Sequence, residues 1–264
     1  MPGPTVQQLF DLSGKAALVT GGTGYLGTAI SQTLAEAGAS VVISSRERTR
    51  AQAAAAQLPR SGGATHYGAE LDHMDEDSLK AGFGEALECA GKIDILINNG
   101  HEADGHDLTS VSSEQFSRQL GNATGYFLLA RMLHDHVVDR GAAGNVILLG
   151  SMYGLVASYP DAYADVCPAS PIAYHTLKGG LLHMTRHLAV YWARDDVRVN
   201  CLSPGPFPKD EAPAAMVERL CTKSPMGRMG LPHELKGAVL LLASDAGSYI
   251  TGQNIVVDGG WTAW

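Results

Sequence analysis

Tyr174 and Lys178 stand four residues apart in Tyr174-His175-Thr176-Leu177-Lys178, within a run from Pro171 to Arg194. That run is apolar at Leu177, Leu181, Leu182, Leu188 and Val190, which predicts a long helix. Residues four apart on a helix share a face, so the phenol and the ammonium would point into one pocket. A free phenol has a pKa of about 10, too high for efficient proton exchange at neutral pH. Bringing it near neutrality means favouring the phenolate by roughly 4 kcal/mol, and an adjacent ammonium is a source of that preference. The pair reads as a general acid/base. Alone, Y-x-x-x-K also describes a solvated helix face, so the elements that position it must decide.

Those elements alternate. Lys15 to Thr20 predicts a short buried strand that runs into Thr20-Gly21-Gly22-Thr23-Gly24-Tyr25-Leu26-Gly27, and a helix from Tyr25 to Ala37 follows. Further strands are expected at 40–44, 65–71, 93–98, 145–149, 197–202 and 254–257. Helices are expected at 49–58, 76–90, 112–140, 171–194 and 233–243. Strict β/α alternation implies right-handed crossovers. The fold class is therefore α/β: a doubly wound, Rossmann-type, mainly parallel sheet of seven strands with helices on both faces. No polar linker divides residues 1–264, so one domain is expected. A Pro- and Gly-rich stretch with Met216, Met226 and Met229, about 207–230, reads as a flap over the substrate.

Glycines between the first strand and its helix let the backbone turn and approach a pyrophosphate seated at the helix N-terminus. Gly21, Thr23, Gly24, Tyr25 and Leu26 are the candidate contacts. The end of the second strand, Ser44-Ser45-Arg46, lacks the acid that commonly holds the ribose hydroxyls of NAD. Ser45 can donate to a phosphate and Arg46 offers a planar guanidinium for it. NADP is therefore expected over NAD.

Bulk composition narrows the classes. Of the 264 residues, 45% are apolar, enough for a large core, and the net charge of −8 argues against nucleic acid or an anionic membrane as partner. No uncharged apolar run is long enough to span a bilayer, and the first twelve residues lack a basic-then-apolar signal. Four scattered cysteines, Cys89, Cys167, Cys201 and Cys221, suit a reducing cytoplasm.

Together these motifs resemble the short-chain dehydrogenase/reductase family over nearly the whole chain. Its Y-x-x-x-K is Tyr174 and Lys178; its serine past the fifth strand looks like Ser151; its helix asparagine looks like Asn122. Asn98-Asn99-Gly100-His101, the turn Pro204-Gly205, and the closing stretch from Thr251-Gly252-Gln253 to Asp258-Gly259-Gly260 are similar to further family segments. The resemblance implies a hydride exchanged between a nicotinamide and a carbonyl or alcohol carbon. Tyr174 would move the proton, and Lys178 would lower its pKa and hold the nicotinamide ribose. Ser151 would bind the reacting oxygen, and Asn122 would support a water relay. Leu71, Asp72, Asn99, Gly100, Pro204 and Gly205 would complete the cofactor contacts with Tyr174 and Lys178, and a homodimer or homotetramer is implied.

The chain departs from that pattern. Its glycines are spaced as in the extended branch of the family, although its length and D-G-G ending resemble the compact branch; His101 replaces a usual glycine, and Lys209 stands where many members carry a threonine. An insertion at about 152–172 must loop out near the site and shape substrate choice. A similar insertion in sugar and sugar-acid dehydrogenases points to a small polar substrate. A 3-oxoacyl thioester reductase, or a dinucleotide sensor without turnover, are the alternatives. His101-Glu102-Ala103-Asp104-Gly105-His106-Asp107 gathers metal-type side chains, but in no familiar ligand spacing, so no metal is expected there. His183 and His187 fall on the far side of the helix from Tyr174, where an interface or surface role is expected.

Overall fold

Seven short strands make one sheet in the computed structural model, which describes residues 3–264. They are β1 (Ala16–Val19), β2 (Ser40–Ser45), β3 (Tyr67–Glu70), β4 (Ile95–Asn98), β5 (Gly144–Leu149), β6 (Val197–Pro204) and β7 (Asn254–Val257). Their order is β3-β2-β1-β4-β5-β6-β7, and every pairing is parallel, so the expected mainly parallel sheet is wholly so. The order reverses between β1 and β4, where the crossovers leave to opposite faces and a crevice opens at the strands' carboxyl ends.

The helices are α1 (Val6–Phe10), α2 (Tyr25–Glu36), α3 (Arg48–Ala56), α4 (Glu76–Ala90), α5 (Ser113–Asp139), α6 (Pro160–Tyr163), α7 (Ile172–Trp192), α8 (Ala214–Cys221) and α9 (Lys236–Ala243). Parallel strands buried on both faces need apolar side chains on both, and two clusters supply them. One packs α4, α5 and α7 against Leu18, Leu96, Val146 and Val199. The other packs α2 and α9 against Val19, Ile43, Ile97 and Leu202. On α7, Leu177, Leu181, Leu182 and Leu188 are buried, but Val190 is 76% exposed. Two residues past Leu188 is about 200° around a helix, which carries Val190 to the outer face.

Helices α1, α6 and α8 are absent from the sequence expectation: α1 and α6 are short, and α8 falls within the stretch read as a flap. Thr5 and Gln8 form a reciprocal capping box on α1, and Pro160 occupies the first turn of α6. Gly125 shows what fixes α5 beside the crevice. A Cβ there would stand 2.0 Å from the carbonyl oxygen of His73, so only a bare backbone passes. Gly→Ala inside a helix ordinarily gains stability, yet Gly125→Ala is expected to lose about 1–3 kcal/mol by overpacking. A fall in the urea midpoint measures it.

Candidate active site

The C-terminal ends of β4, β5 and β6 and the first turns of α7 wall a cavity of about 250 Å³. Leu26, Asn99, His101, Leu149, Gly150, Ser151, Tyr174, Lys178, Pro204, Gly205 and Phe207 line it. Tyr174 lies in the first turn of α7 and Lys178 one turn on, facing the same way as their spacing implies; Lys178 Nζ is 5.5 Å from the Tyr174 ring centre. The ammonium is buried, donates to the Leu149 carbonyl at 2.6 Å, and lies 5.6 Å from the Tyr126 ring. Ser151 follows β5 directly; its hydroxyl accepts the Tyr153 N–H at 3.1 Å and so caps a 3-10 turn (Met152–Gly154).

Asn122 is fully buried in α5 and anchors the loop after β4. Its Oδ1 accepts the Glu102 N–H at 2.8 Å and bonds His73 Nε2 at 2.7 Å, while its Nδ2 donates to the carbonyls of Glu102 and Gln119 at 3.2 and 2.9 Å. Two donors and two acceptor positions are thereby all used. A water relay finds no free position on this side chain.

The nucleotide end is built from backbone. Gly21 has φ +59°, and a Cβ on Gly27 would lie 2.2 Å from the Gly21 carbonyl. Thr20 Oγ1 accepts the N–H groups of Asn99 and Gly100 at 2.9 and 2.8 Å, tying the loops after β1 and β4 together. Gly24 caps α2 with no side-chain hydrogen bond, so the helix presents bare N–H groups beside Thr23 and Tyr25. That is an anion cradle.

A family model described as enoyl-(acyl carrier protein) reductase matches residues 24–262. The chain belongs to the short-chain dehydrogenase/reductase family. It is 33% identical to a sorbose reductase of Candida albicans, over 97% of this chain and 90% of that protein. It is 34% identical to an L-tagatose-forming galactitol 2-dehydrogenase of Cereibacter sphaeroides, over 97% and 98%. Among solved structures, a gluconate 5-dehydrogenase of Burkholderia cenocepacia in complex with NADP and tartrate superposes with TM-score 0.88 at 30% identity, covering 98% of this chain and 100% of that one.

The fold shifts the protonation of this site, though not in the direction expected from the spacing. Burial pushes the Tyr174 phenol above its ordinary range, with the Ser151 hydroxyl drawing it partly back. Burial also depresses Lys178 to about 8. The ammonium is spent on the Leu149 carbonyl rather than on the phenol oxygen, so in the protein alone it does not bring Tyr174 near neutrality.

The remaining cofactor candidates divide. Leu26, Asn99, Pro204 and Gly205 line the cavity and Gly100 backs it. Leu71 is buried behind it, and the Asp72 carboxylate accepts the Met74 N–H at 3.0 Å, closing its own turn. Ser45 ends β2 with its hydroxyl accepting the Glu47 N–H. Arg46 is exposed and makes no ion pair or hydrogen bond among the described residues, whereas nearby Arg48 is taken up by Glu70 and Glu85. Lys209 is exposed and away from the cavity.

Three neighbours lay outside the sequence reading of the site. Arg50 reaches back to the Thr23 carbonyl at 3.4 Å, one helical turn past Arg46, a spacing visible in R-E-R-T-R. Phe207, the first residue of the stretch read as a flap, lines the cavity beneath Gly230, and His73, which carried no sequence signal, holds Asn122. The insertion and the flap are joined: Arg219 of α8 donates to the carbonyls of Asp161 and Ala164, and Lys223 pairs with the Asp161 carboxylate at 2.5 Å. Trp261, Tyr159 and Met152 pack beneath that joint. In the 101–107 loop the metal-type side chains turn elsewhere: Glu102 pairs with Arg118, Asp104 with His106, and Asp107 closes a turn on Thr109 and Ser110. His183 and His187 are exposed, and His187 lies against Tyr191 on the outer face of α7.

Proposed function

We propose that the chain is an NADP(H)-preferring oxidoreductase acting on a hydroxyl or ketone of a small polar substrate, a sugar, polyol or sugar acid. Tyr174 is its proton donor and acceptor. The observation that carries this reading is the half-buried Tyr174 phenol, the buried Lys178 ammonium and Ser151 meeting in one cavity at the carboxyl ends of β4, β5 and β6. The activities named for the sorbose reductase, the galactitol dehydrogenase and the gluconate dehydrogenase support the substrate class.

A bound nicotinamide supplies the hydride. The protein's share is positioning and proton handling. The phenol, protonated at neutral pH like any tyrosine and pushed further up by burial, gives its proton to the oxygen that gains charge as a carbonyl is reduced. The Ser151 hydroxyl donates to that same oxygen, a fixed dipole aimed where charge develops. Lys178, held on the Leu149 carbonyl, offers further N–H donors to a ribose hydroxyl. Asn122 keeps the loop after β4 in register with the cavity. The bare glycine turn and the capless start of α2 fit a pyrophosphate.

The preference for NADP rests on Arg46, a guanidinium without a partner at the end of β2. Hydrogen bonds to charged groups contribute about 1.5–3 kcal/mol. Arg46→Ala is therefore expected to weaken NADPH roughly tenfold to a hundredfold and leave NADH nearly unmoved. Thermal shift with each nucleotide at equal concentration checks it, and greater stabilisation by NADH than by NADPH ends the preference. Turnover is tested by NADPH oxidation over ketoses, keto-acids and 3-oxoacyl thioesters; activity confined to the thioesters would replace the substrate class.

A homodimer or homotetramer in a reducing cytoplasm completes the proposal. Val190 and Tyr191 expose apolar surface on α7, and all four cysteines are free. No helix among the described residues is long and apolar enough to cross a membrane.

A further inference from the structure

Two polar side chains in the cavity wall have no part in the proton chemistry: Asn99, whose amide is taken up by the Thr20 and Gly21 carbonyls, and His101. The latter follows β4, and its ring meets the Tyr174 ring edge-on, with centres 5.4 Å apart. Both rings line the same cavity, so a substrate seated against the phenol has the imidazole within its surroundings. We propose that His101 is a specificity residue, holding a hydroxyl on the carbon next to the reacting one, so that the preferred substrate is an α-hydroxyketone or the matching vicinal diol. This rests on the oxidoreductase reading above and names the substrate that reading leaves open.

Three observations converge. First, the backbone on either side of His101 is pinned: the Gly100 N–H bonds Thr20 Oγ1 and the Glu102 N–H bonds Asn122 Oδ1, each at 2.8 Å. A side chain between two such anchors is preorganised rather than free to swing away. Second, burial, with the Lys178 charge nearby, holds the ring's pKa at about 3, so it is neutral at any working pH. A neutral imidazole offers one N–H donor and one nitrogen acceptor. Of simple substrate groups, a hydroxyl satisfies either tautomer, whereas a carboxylate only accepts and an ammonium would be repelled by Lys178. Third, Nδ1 is buried with no hydrogen-bond partner, which leaves Nε2 as the ring atom to meet a ligand. A polar group in a closed site discriminates against an analogue that leaves it unpaired.

The test compares acetoin with butanone, which differ by the hydroxyl beside the ketone, in NADPH-dependent reduction by wild type, His101→Leu and His101→Asn. Wild type is expected to favour acetoin in kcat/KM. His101→Leu should lose about tenfold to a hundredfold more on acetoin than on butanone. His101→Asn, which restores a donor and an acceptor, should recover part of that ratio. Fluorescence titration of NADPH runs alongside. Equal losses on both ketones, losses that track a weakened NADPH Kd, or a wild type that reduces ketoses without preferring acetoin each overturn the assignment; the second would give His101 to the cofactor ribose. A wild type inactive on every carbonyl of both panels sinks the oxidoreductase reading itself, which is a distinguishable failure.

Discussion

Tyr174→Phe is expected to lower kcat/KM for carbonyl reduction by about a hundredfold to ten-thousandfold, the range a positioned general acid contributes. The substitution is narrow. Phe keeps the ring that packs against His101 and lies beneath Lys178, and removes only the hydroxyl. That hydroxyl carries its proton at neutral pH like any tyrosine's, and burial pushes it further up, with Ser151 next to it. NADPH affinity should move far less than turnover, because a ring and not an oxygen is kept at the wall. The pH dependence follows in sign. A phenol held above its ordinary range stays protonated through neutrality, so reduction has its acid at pH 7. Oxidation of the alcohol needs the phenolate and should climb as pH rises. Steady-state rates in both directions across pH 6–10, with NADPH titration of the variant, measure all of this. Turnover by Tyr174→Phe within a few-fold of wild type would remove the phenol from the chemistry.

Much of the fold could be read from patterns that report local physics. Apolar runs bounded by glycine, alternating with helical periodicity, are what strands buried on both faces require, and all seven strands and the helices α2, α3, α4, α5, α7 and α9 lie where those patterns put them. The Tyr174, Lys178, Ser151 and Asn122 set was legible for the same reason: spacing on one helix and position at strand ends are sequence properties. What escaped depends on contacts between distant segments. The spacing places Lys178 beside Tyr174, but only packing shows that its ammonium is bound by the Leu149 carbonyl 29 positions earlier. Asn122 looks like a free amide until the 102 loop closes on it. Helix α6 has too few residues to show a period, and it and α8 hold each other through Asp161, Arg219 and Lys223 rather than through propensity. The 207–230 stretch and the insertion read as separate loops in the sequence and are joined to each other in the structure.

Lys178→Met should make the protein more stable while nearly abolishing its activity, and the two effects share one cause. A lysine lowered to about 8 from an ordinary 10.5 is an ammonium that folding destabilises. The shift corresponds to a ceiling of about 3 kcal/mol at neutral pH. Methionine fills the space without charge, and the cost is the Leu149 carbonyl left without its donor, about 1–3 kcal/mol. The net gain is therefore about 2 kcal/mol at most, a rise in Tm of up to roughly 4–8 °C at pH 7 for a chain of this size. The sign with pH runs the same way. Between about 8 and 10.5 the unfolded chain binds a proton that the folded one has released, so wild-type stability rises with pH across that window. The methionine variant lacks that rise of up to about 3 kcal/mol, so its advantage should shrink above pH 8, vanish within about one to two pH units and reverse towards pH 10. Calorimetry at pH 7, 9 and 10 reads the trend. A variant less stable than wild type at pH 7 would mean that the ammonium is held by more than one carbonyl, and that the site stores no strain for the cofactor to relieve.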